Sequence, residues 1–355
     1  METSVKKLGF HRPGLPPAVN FPVCLAPMVG LSHCALRQLI REYMPQGAVG
    51  LWPSEMLNSR RLPDENLDRI PEAKKYGDET FWVPQILANE EDKIRRSLEK
   101  LYDYGAHGVD INMGCPVRKA LKHNYGVALM GDPDYAAKVV EMTVAHSTGP
   151  VSVKLRGVAS EDKDKWLDFV RGLEGAGADW LCLHPRTPEQ KRKGRADWSQ
   201  FHQLREHVNL PIIGNGDIQT WEDVVRLLEE ESCDMVMVGR ALTARPWLMW
   251  QVGYHLGWPA PEGRSGPPPL TPQEEGLEYG RSLLRLLDLM ETVFEERAAL
   301  RKFVFYLQTS GVWLPFGHNL YSRLTRPKTF IGVRQVLTDF FASPHSLYAR
   351  TELRQ

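Results

Sequence analysis

An alternation limits this chain more than anything else in it. Eight short apolar runs recur between residues 23 and 240, and amphipathic stretches separate most of them. The runs are VCLAPM (23–28), AVGLWPSEM (48–56), TFWVPQILA (80–88), HGVDINMG (107–114), VSVKLR (151–156), WLCLHPR (180–186), PIIGNG (211–216) and MVMVGR (235–240). Continuous apolar runs bounded by Gly and Pro suit strands buried on both faces. Between them, EEDKIRRSLEKLYDYG (90–105) sets Ile94, Leu98 and Leu101 on one helical face and stops at Gly105. DPDYAAKVVEMTVAHSTG (132–149) opens on an Asp cap and closes at Gly149, and 164–177 and 220–233 repeat the form. Alternating strand and helix predicts a parallel sheet with helices outside. Eight such strands fit a closed α/β barrel, the (β/α)8 TIM barrel, over residues 21–255. A doubly wound open sheet is the plainer alternative.

The polar stretch 57–79, with Pro63 and Pro71, reads as a long loop with room for one short helix. Residues 1–20 form an N-terminal extension and 256–271 a proline-rich linker, and 272–355 carry the i, i+3, i+4 apolar spacing of a helical domain. Lys and Arg together number 44, as do Asp and Glu, which excludes a uniformly basic coat. Charge is nevertheless uneven. From Arg297 onward nine positive residues stand against two negative, among them Arg323, Arg326 and Lys328. Backbone phosphates are a natural partner for such a face, and a solvated helix surface is the bland alternative.

Five scattered cysteines without CxxC spacing argue against a disulfide framework or a metal site. No run approaches the ~18 apolar residues of a membrane span, and no signal-peptide core precedes the first prolines. A soluble cytoplasmic protein is the expectation, and no protein partner is readable.

In a parallel barrel the chemistry lies at the C-terminal ends of the strands. Those positions collect Pro27-Met28-Val29-Gly30, Gln85, Asn112-Met113-Gly114-Cys115-Pro116, Lys154 and Arg156, His184 and Arg186, Asn215-Gly216-Asp217, and Gly239-Arg240. The last two groups are glycine-bearing turns whose N–H groups can hold a phosphate. Lys154 could balance charge on a reduced flavin, sit in a buried ion pair, or form a Schiff base as in aldolases. Cys115 follows a strand in a Gly-Cys-Pro turn, which suits a proton donor or a nucleophile.

Taken together, APMVG (26–30), VDINMGCP (109–116), GVALMGDP (126–133), SVKLR (152–156), HPRTPEQKRKGRADW (184–198), IIGNGDI (212–218) and VMVGRAL (236–242) resemble the tRNA-dihydrouridine synthases in order and spacing. The resemblance implies an FMN-containing barrel and a helical tRNA-binding domain. It also implies reduction of the 5,6 double bond of particular uridines in tRNA, with NADPH as the reductant. Carried over, Pro27, Met28 and Val29 would line the flavin, and Gln85 and Lys154 would contact its ring. His184, Asn215, Gly216, Asp217, Gly239 and Arg240 would hold ring edge, ribityl chain and phosphate. Asn112 and Arg156 would position the uracil, Arg186 would be a further substrate-binding residue, and Cys115 would be the general acid. A thiol, with a reference pKa of ~8.5, is mostly protonated at neutral pH and suits that role.

The target base would have to leave its stack. Arg118, Lys119, Lys122, Lys191, Arg192, Lys193 and Arg195 at the rim, with Arg323, Arg326 and Lys328, would hold the RNA backbone. Three positions depart from the family pattern: Ser32-His33 where Thr-Asp is usual, Pro185 after His184, and a bulky Asn124-Tyr125 before Gly126. The alternatives are an FMN-dependent free-pyrimidine or dihydroorotate-type oxidoreductase, a Schiff-base aldolase-type barrel using Lys154, and a non-catalytic RNA-binding protein.

Overall fold

A computed structural model of the protein describes residues 14–77, 79–191 and 193–352. Residues 1–13 of the expected extension, the rim residue Arg192, Arg354, and the side chain of Lys119 lie outside this description.

The strands are β1 (Val23–Leu25), β2 (Trp52–Pro53), β3 (Leu57–Asn58), β4 (Trp82–Val83), β5 (Gln85–Leu87), β6 (Val109–Met113), β7 (Val151–Arg156), β8 (Trp180–His184), β9 (Ile212–Asn215) and β10 (Met235–Val238). Eight of them form one parallel sheet, in the order β1-β10-β9-β8-β7-β6-β5-β3, while β2 pairs with β4. The last strand pairs with the first, Val23 opposite Val236. The N–H groups of Asn20 and Phe21 bond the carbonyl of Val49, which brings the chain before β1 against the chain before β2. The result is an eight-stave barrel whose second stave is β2 with β3 and whose third is β4 with β5.

The expected apolar run 48–56 contains only β2, and the run 80–88 breaks at Pro84. Proline offers no N–H to a ladder, so the third stave is split there. Strand side chains divide as the pleat requires. Cys24, Cys182, Ile213, Met235 and Met237 pack inside with Trp180 and Val83, while Val23, Ile111, Val153, Leu181 and Val236 join the helices outside.

The helices are α1 (Cys34–Arg41), α2 (Glu91–Asp103), α3 (Arg118–Leu121), α4 (Pro133–His146), α5 (Lys163–Gly175), α6 (Ser199–Arg205), α7 (Trp221–Glu229), α8 (Arg240–Ala244), α9 (Leu248–His255), α10 (Pro272–Val293), α11 (Glu296–Ser310), α12 (Gly317–Leu324) and α13 (Phe330–Phe341). Asp132 caps α4 through Tyr135 N–H, and Thr220 with Asp223 forms a capping box on α7. The expectation that the fourth helix runs to Gly149 is corrected: it ends at His146. Gly149 is needed for clearance instead, since an added Cβ would lie 2.6 Å from the carbonyl of His107.

Among the described residues no α-helix links the second and third staves. Between residues 57 and 77 lie β3 and two 3-10 turns, Leu62–Asp64 and Leu67–Arg69, with Leu62, Leu67 and Ala73 buried. Arg37 of α1 pins this stretch. Its guanidinium pairs with Glu79 at 2.5 Å and donates to the carbonyls of Ser32 and Lys74.

Beyond α9 the proline-rich segment lies against the barrel: the guanidinium of Arg264 sits 4.2 Å from the Tyr43 ring centre and pairs with Glu278. Helix α10 starts with a Thr271–Glu274 capping box and Pro272 in its first turn. Its buried Leu283, Leu286 and Leu287 share one apolar cluster with Leu36, Leu39 and Ile40 of α1.

Candidate active site at the barrel mouth

The third, fourth and fifth staves carry a linked set of polar side chains. Asn112 donates from Nδ2 to Gln85 Oε1 at 2.6 Å, and its Oδ1 accepts from the N–H groups of Gly114 (3.1 Å) and Cys115 (2.9 Å). Gln85 in turn donates to Asp110 Oδ2 at 2.6 Å, and Ser152 donates to Asp110 Oδ1 at 2.7 Å. Asn112 therefore sets the turn that presents Cys115. The same turn is backed by Gly126 (φ 64): an added Cβ there would fall 2.4 Å from the Cys115 carbonyl. The Cys115 side chain packs with Leu87, Ala120, Tyr125 and the partly buried Met56, keeping 9% of its surface exposed. Tyr125, a departure from the family pattern, is thus a wall of the Cys115 pocket.

Lys154 lies opposite Asn112 in the ladder, and Arg156 lies opposite His184. The Lys154 ammonium is partly buried and makes no hydrogen bond within the described residues. Burial pushes it below the usual lysine range, with Arg156 adding to the effect and Asp110 opposing it. Burial likewise raises Asp110, against the bonds from Gln85 and Ser152 and the charge of Lys154. Arg156 reaches from Nε to the Gly114 carbonyl at 3.1 Å and from NH1 to the Lys191 carbonyl at 2.6 Å, so it joins the Cys115 turn to the 184–198 loop.

The sixth and seventh staves meet through His184, Arg186 and Asp217. Arg186 bonds both Asp217 oxygens at 2.7 Å, the Gly194 carbonyl at 2.7 Å and His184 Nε2 at 3.1 Å. Arg186, expected as a substrate-binding residue, has its side chain 3% exposed and held within the protein. Asp217 also accepts from Ala196 N–H. With its carboxylate so occupied, only its backbone N–H is left for an anion. Asn215 is similarly tied, donating to the Met237 carbonyl at 2.6 Å and stapling the last two staves.

The backbone N–H groups of Gly216, Asp217 and Gly239 make no hydrogen bond within the described residues. Gly216 (φ 105) and Asp217 (φ 55) both lie in the left-handed region, and an added Cβ at Gly216 would strike His184 Cδ2 at 2.7 Å. Free amides beside bare glycine form an anion cradle. Arg240 opens α8 beside them. Across the mouth, Pro27 and Met28 are partly buried, and Val29 is 60% exposed.

Two participants escaped the sequence reading. Glu55 accepts the Gly30 N–H at 2.6 Å, and Phe305 of α11 covers Gly30, 3.0 Å from where a Cβ would stand. Neither has a local sequence signal, because each depends on a partner at least 25 residues away. Of the basic residues expected to hold RNA, Arg118, Lys122, Lys191, Lys193, Arg195, Arg323, Arg326 and Lys328 are exposed.

A flavin mononucleotide needs an anion cradle, a cation beside its pyrimidine half and polar groups along its edge. The free amides of Gly216, Asp217 and Gly239, the unbonded Lys154 ammonium, and Gln85 and His184 fit that requirement. Among the described residues no group of His, Cys, Asp and Glu could hold a metal, and no helix is long and apolar enough to cross a membrane.

A family model described as dihydrouridine synthase (Dus) matches residues 24–303. A probable tRNA-dihydrouridine synthase of Rhizobium leguminosarum bv. phaseoli is 35% identical over 230 residues, 65% of this chain and 71% of that protein. One from Mycobacterium tuberculosis H37Rv is 31% identical over 318 residues, 87% of this chain and 79% of that protein. Among solved structures, TcOYE with pHBA overlays with a TM-score of 0.48 at 12% identity, over 69% of this chain and 91% of that one. Overlap at that level says nothing of chemistry.

Proposed function

The chain belongs to the dihydrouridine synthase family, and on that premise we propose that it reduces the 5,6 double bond of uridine in tRNA, with FMN bound at the barrel mouth and NADPH as the reductant. The observation that carries this reading is the hydrogen-bonded run Gln85–Asn112–Cys115 beside the unbonded ammonium of Lys154, on three adjoining staves.

Pro27, Met28 and Val29 line the ring, Gln85, Lys154 and His184 meet its polar edge, and the amides of Gly216, Asp217 and Gly239 with Arg240 hold the phosphate. When bound, the flavin supplies a hydride to carbon 6 of the uracil. Cys115 supplies the proton that carbon 5 takes, which completes addition of two hydrogens across the bond. Asn112 fixes the turn that carries the thiol, and Arg156 holds that turn to the 184–198 loop. The walls of Leu87, Ala120 and Tyr125 keep water from the sulfur.

The target base leaves its stack to reach this pocket. The helical segment 272–355, with the exposed Arg323, Arg326 and Lys328, holds the RNA backbone, and the rim basics assist. Meeting both tRNA and NADPH suits a cytoplasmic setting.

Mapping dihydrouridine in tRNA from a strain lacking the gene tests the activity: one or more sites should revert to uridine, and an unchanged map removes it. Cys115→Ala should keep FMN and tRNA affinity while reduction of uridine falls by about 10²–10⁴-fold in single turnover. Undiminished turnover would take Cys115 out of the acid role.

A further inference from the structure

We propose that Arg186 is a positioning residue that locks His184 as the neutral ring carrying its proton on Nδ1, so that this edge of the mouth offers a hydrogen-bond donor to an oxygen of the bound flavin. The inference deepens the reading above and rests on it for the identity of the acceptor.

A guanidinium has five N–H donors and no acceptor. Arg186 NH1 stands 3.1 Å from His184 Nε2, so that nitrogen must accept and its lone pair must be free of a proton. In a neutral ring the remaining proton is then on Nδ1. A second proton on Nε2 would set one N–H against another.

The arginine has little freedom to turn aside. NH2 is held by both oxygens of Asp217 and by the Gly194 carbonyl, each at 2.7 Å, and the side chain is 3% exposed. Asp217 is held in turn by Ala196 N–H at 2.7 Å. The ring is confined as well. It lies so close to Gly216 that an added Cβ would be 2.7 Å from Cδ2, and turning it over would replace Nε2 by a carbon in front of NH1. His184 Nδ1 makes no hydrogen bond within the described residues, which leaves its N–H for a ligand. Burial, with Lys154, Arg156, Arg186 and Arg240 around it, keeps the ring uncharged far below the usual histidine range.

The test is ¹⁵N NMR of histidine-labelled holoenzyme, with the same protein stripped of flavin for comparison. The wild type should show a proton-bearing Nδ1 and a bare Nε2 at His184, unchanged from pH 8 to pH 5.5, and saturation with FMN should move the Nδ1–H resonance downfield. In Arg186→Met the tautomers should mix, the ring should titrate within the window, and FMN affinity should fall about tenfold. Arg186 remains in Asp217→Asn but loses its ion pair and one acceptor, keeping the Gly194 carbonyl, so this variant should show a partial loss of the single tautomer even if Arg186→Met does not fold. A bare Nδ1 in the wild type, or one unaltered tautomer in both variants, overturns the proposal. An Nδ1–H that is blind to saturating FMN overturns its second half. Protein that shows the locked tautomer but takes up no FMN upholds the role of Arg186 and sinks the cofactor assignment instead.

Discussion

Glu55 is 1% exposed; its Oε2 takes the Gly30 N–H at 2.6 Å, while Oε1 has no partner among the described residues. Burial raises its pKa from 4.5 to about 7, against the Gly30 bond and the charges of Lys302 and Arg37, with Glu72 reinforcing the rise. The folded protein therefore binds more protons at this group than the unfolded chain between those two values. Stability falls as pH rises through that window, and the loss is complete above pH 7. Its size is at most ~3 kcal/mol. Glu55→Gln keeps an acceptor for Gly30 and removes the titration. Thermal melts should show the variant gaining on the wild type from pH 5 to pH 8, and a gap independent of pH would release Glu55 from this account. The positions of Cys115, Lys154 and His184 at the C-terminal ends of strands are legible in the sequence, because each stands at or near the end of an apolar run. Glu55 also stands near the end of a run, but nothing local marks a carboxyl whose partner is supplied by another stave. The Ser32-His33 departure finds its explanation only in the fold: His33 Nδ1 accepts the Leu36 N–H at 3.4 Å, as an aspartate cap would, and its ring meets Phe294 edge-on at 5.1 Å. Burial, then Lys302 and Arg37, holds His33 at a pKa of about 3, so the cap stays neutral.

Among the elements, strands buried on both faces were read well because apolar runs need no information from elsewhere. The stretch 57–79 was not, since its order comes from a distant side chain. Its fold depends on Arg37, fully buried, meeting Glu79 across 42 residues and donating to the Lys74 carbonyl in the chain between. Such a pair contributes little net stability over an apolar substitute, yet removing one partner strands the other charge. Arg37→Leu should cost about 3–5 kcal/mol in denaturant unfolding. Arg37→Leu with Glu79→Leu should recover part of that loss. Equal losses in the single and double variants would mean that the carbonyl contacts, not the charge pair, order the segment. The break in the third stave follows from the sequence alone: Pro84 lies within the third run, and a proline there divides the ladder.

Taken whole, the molecule is not a barrel with a loosely tethered helical appendage. Glu275 of α10 is 3% exposed and accepts from Arg245 Nε at 3.1 Å, Trp247 Nε1 at 3.0 Å and Gln251 Nε2 at 2.9 Å, all from the barrel's last helical segments. The C-terminal tail returns to the barrel, where Arg350 meets both oxygens of Asp223 at 2.8 and 2.9 Å. This matters for the basic excess that the sequence displays after Arg297. Arg350 is consumed by Asp223, and Arg334 by Asp288 and Glu291. Arg323, Arg326 and Lys328 are different: they are exposed and carry no ion pair within the described residues. Arg323 rests 5.7 Å from the Phe340 ring centre, and Lys328 bonds only the Thr325 carbonyl. Each free charge that meets a phosphate releases a counterion, so affinity falls with salt by a slope of roughly 0.7–0.9 per contact. Replacing all three with glutamine should weaken tRNA binding and lower the slope of log K against log salt by about 2–3. Neutralising Arg334 instead should leave the slope alone, because its charge is already matched. If both variants keep the wild-type slope, the phosphates must lie over Arg118, Lys122, Lys191, Lys193 and Arg195 around the mouth, and α12 faces water.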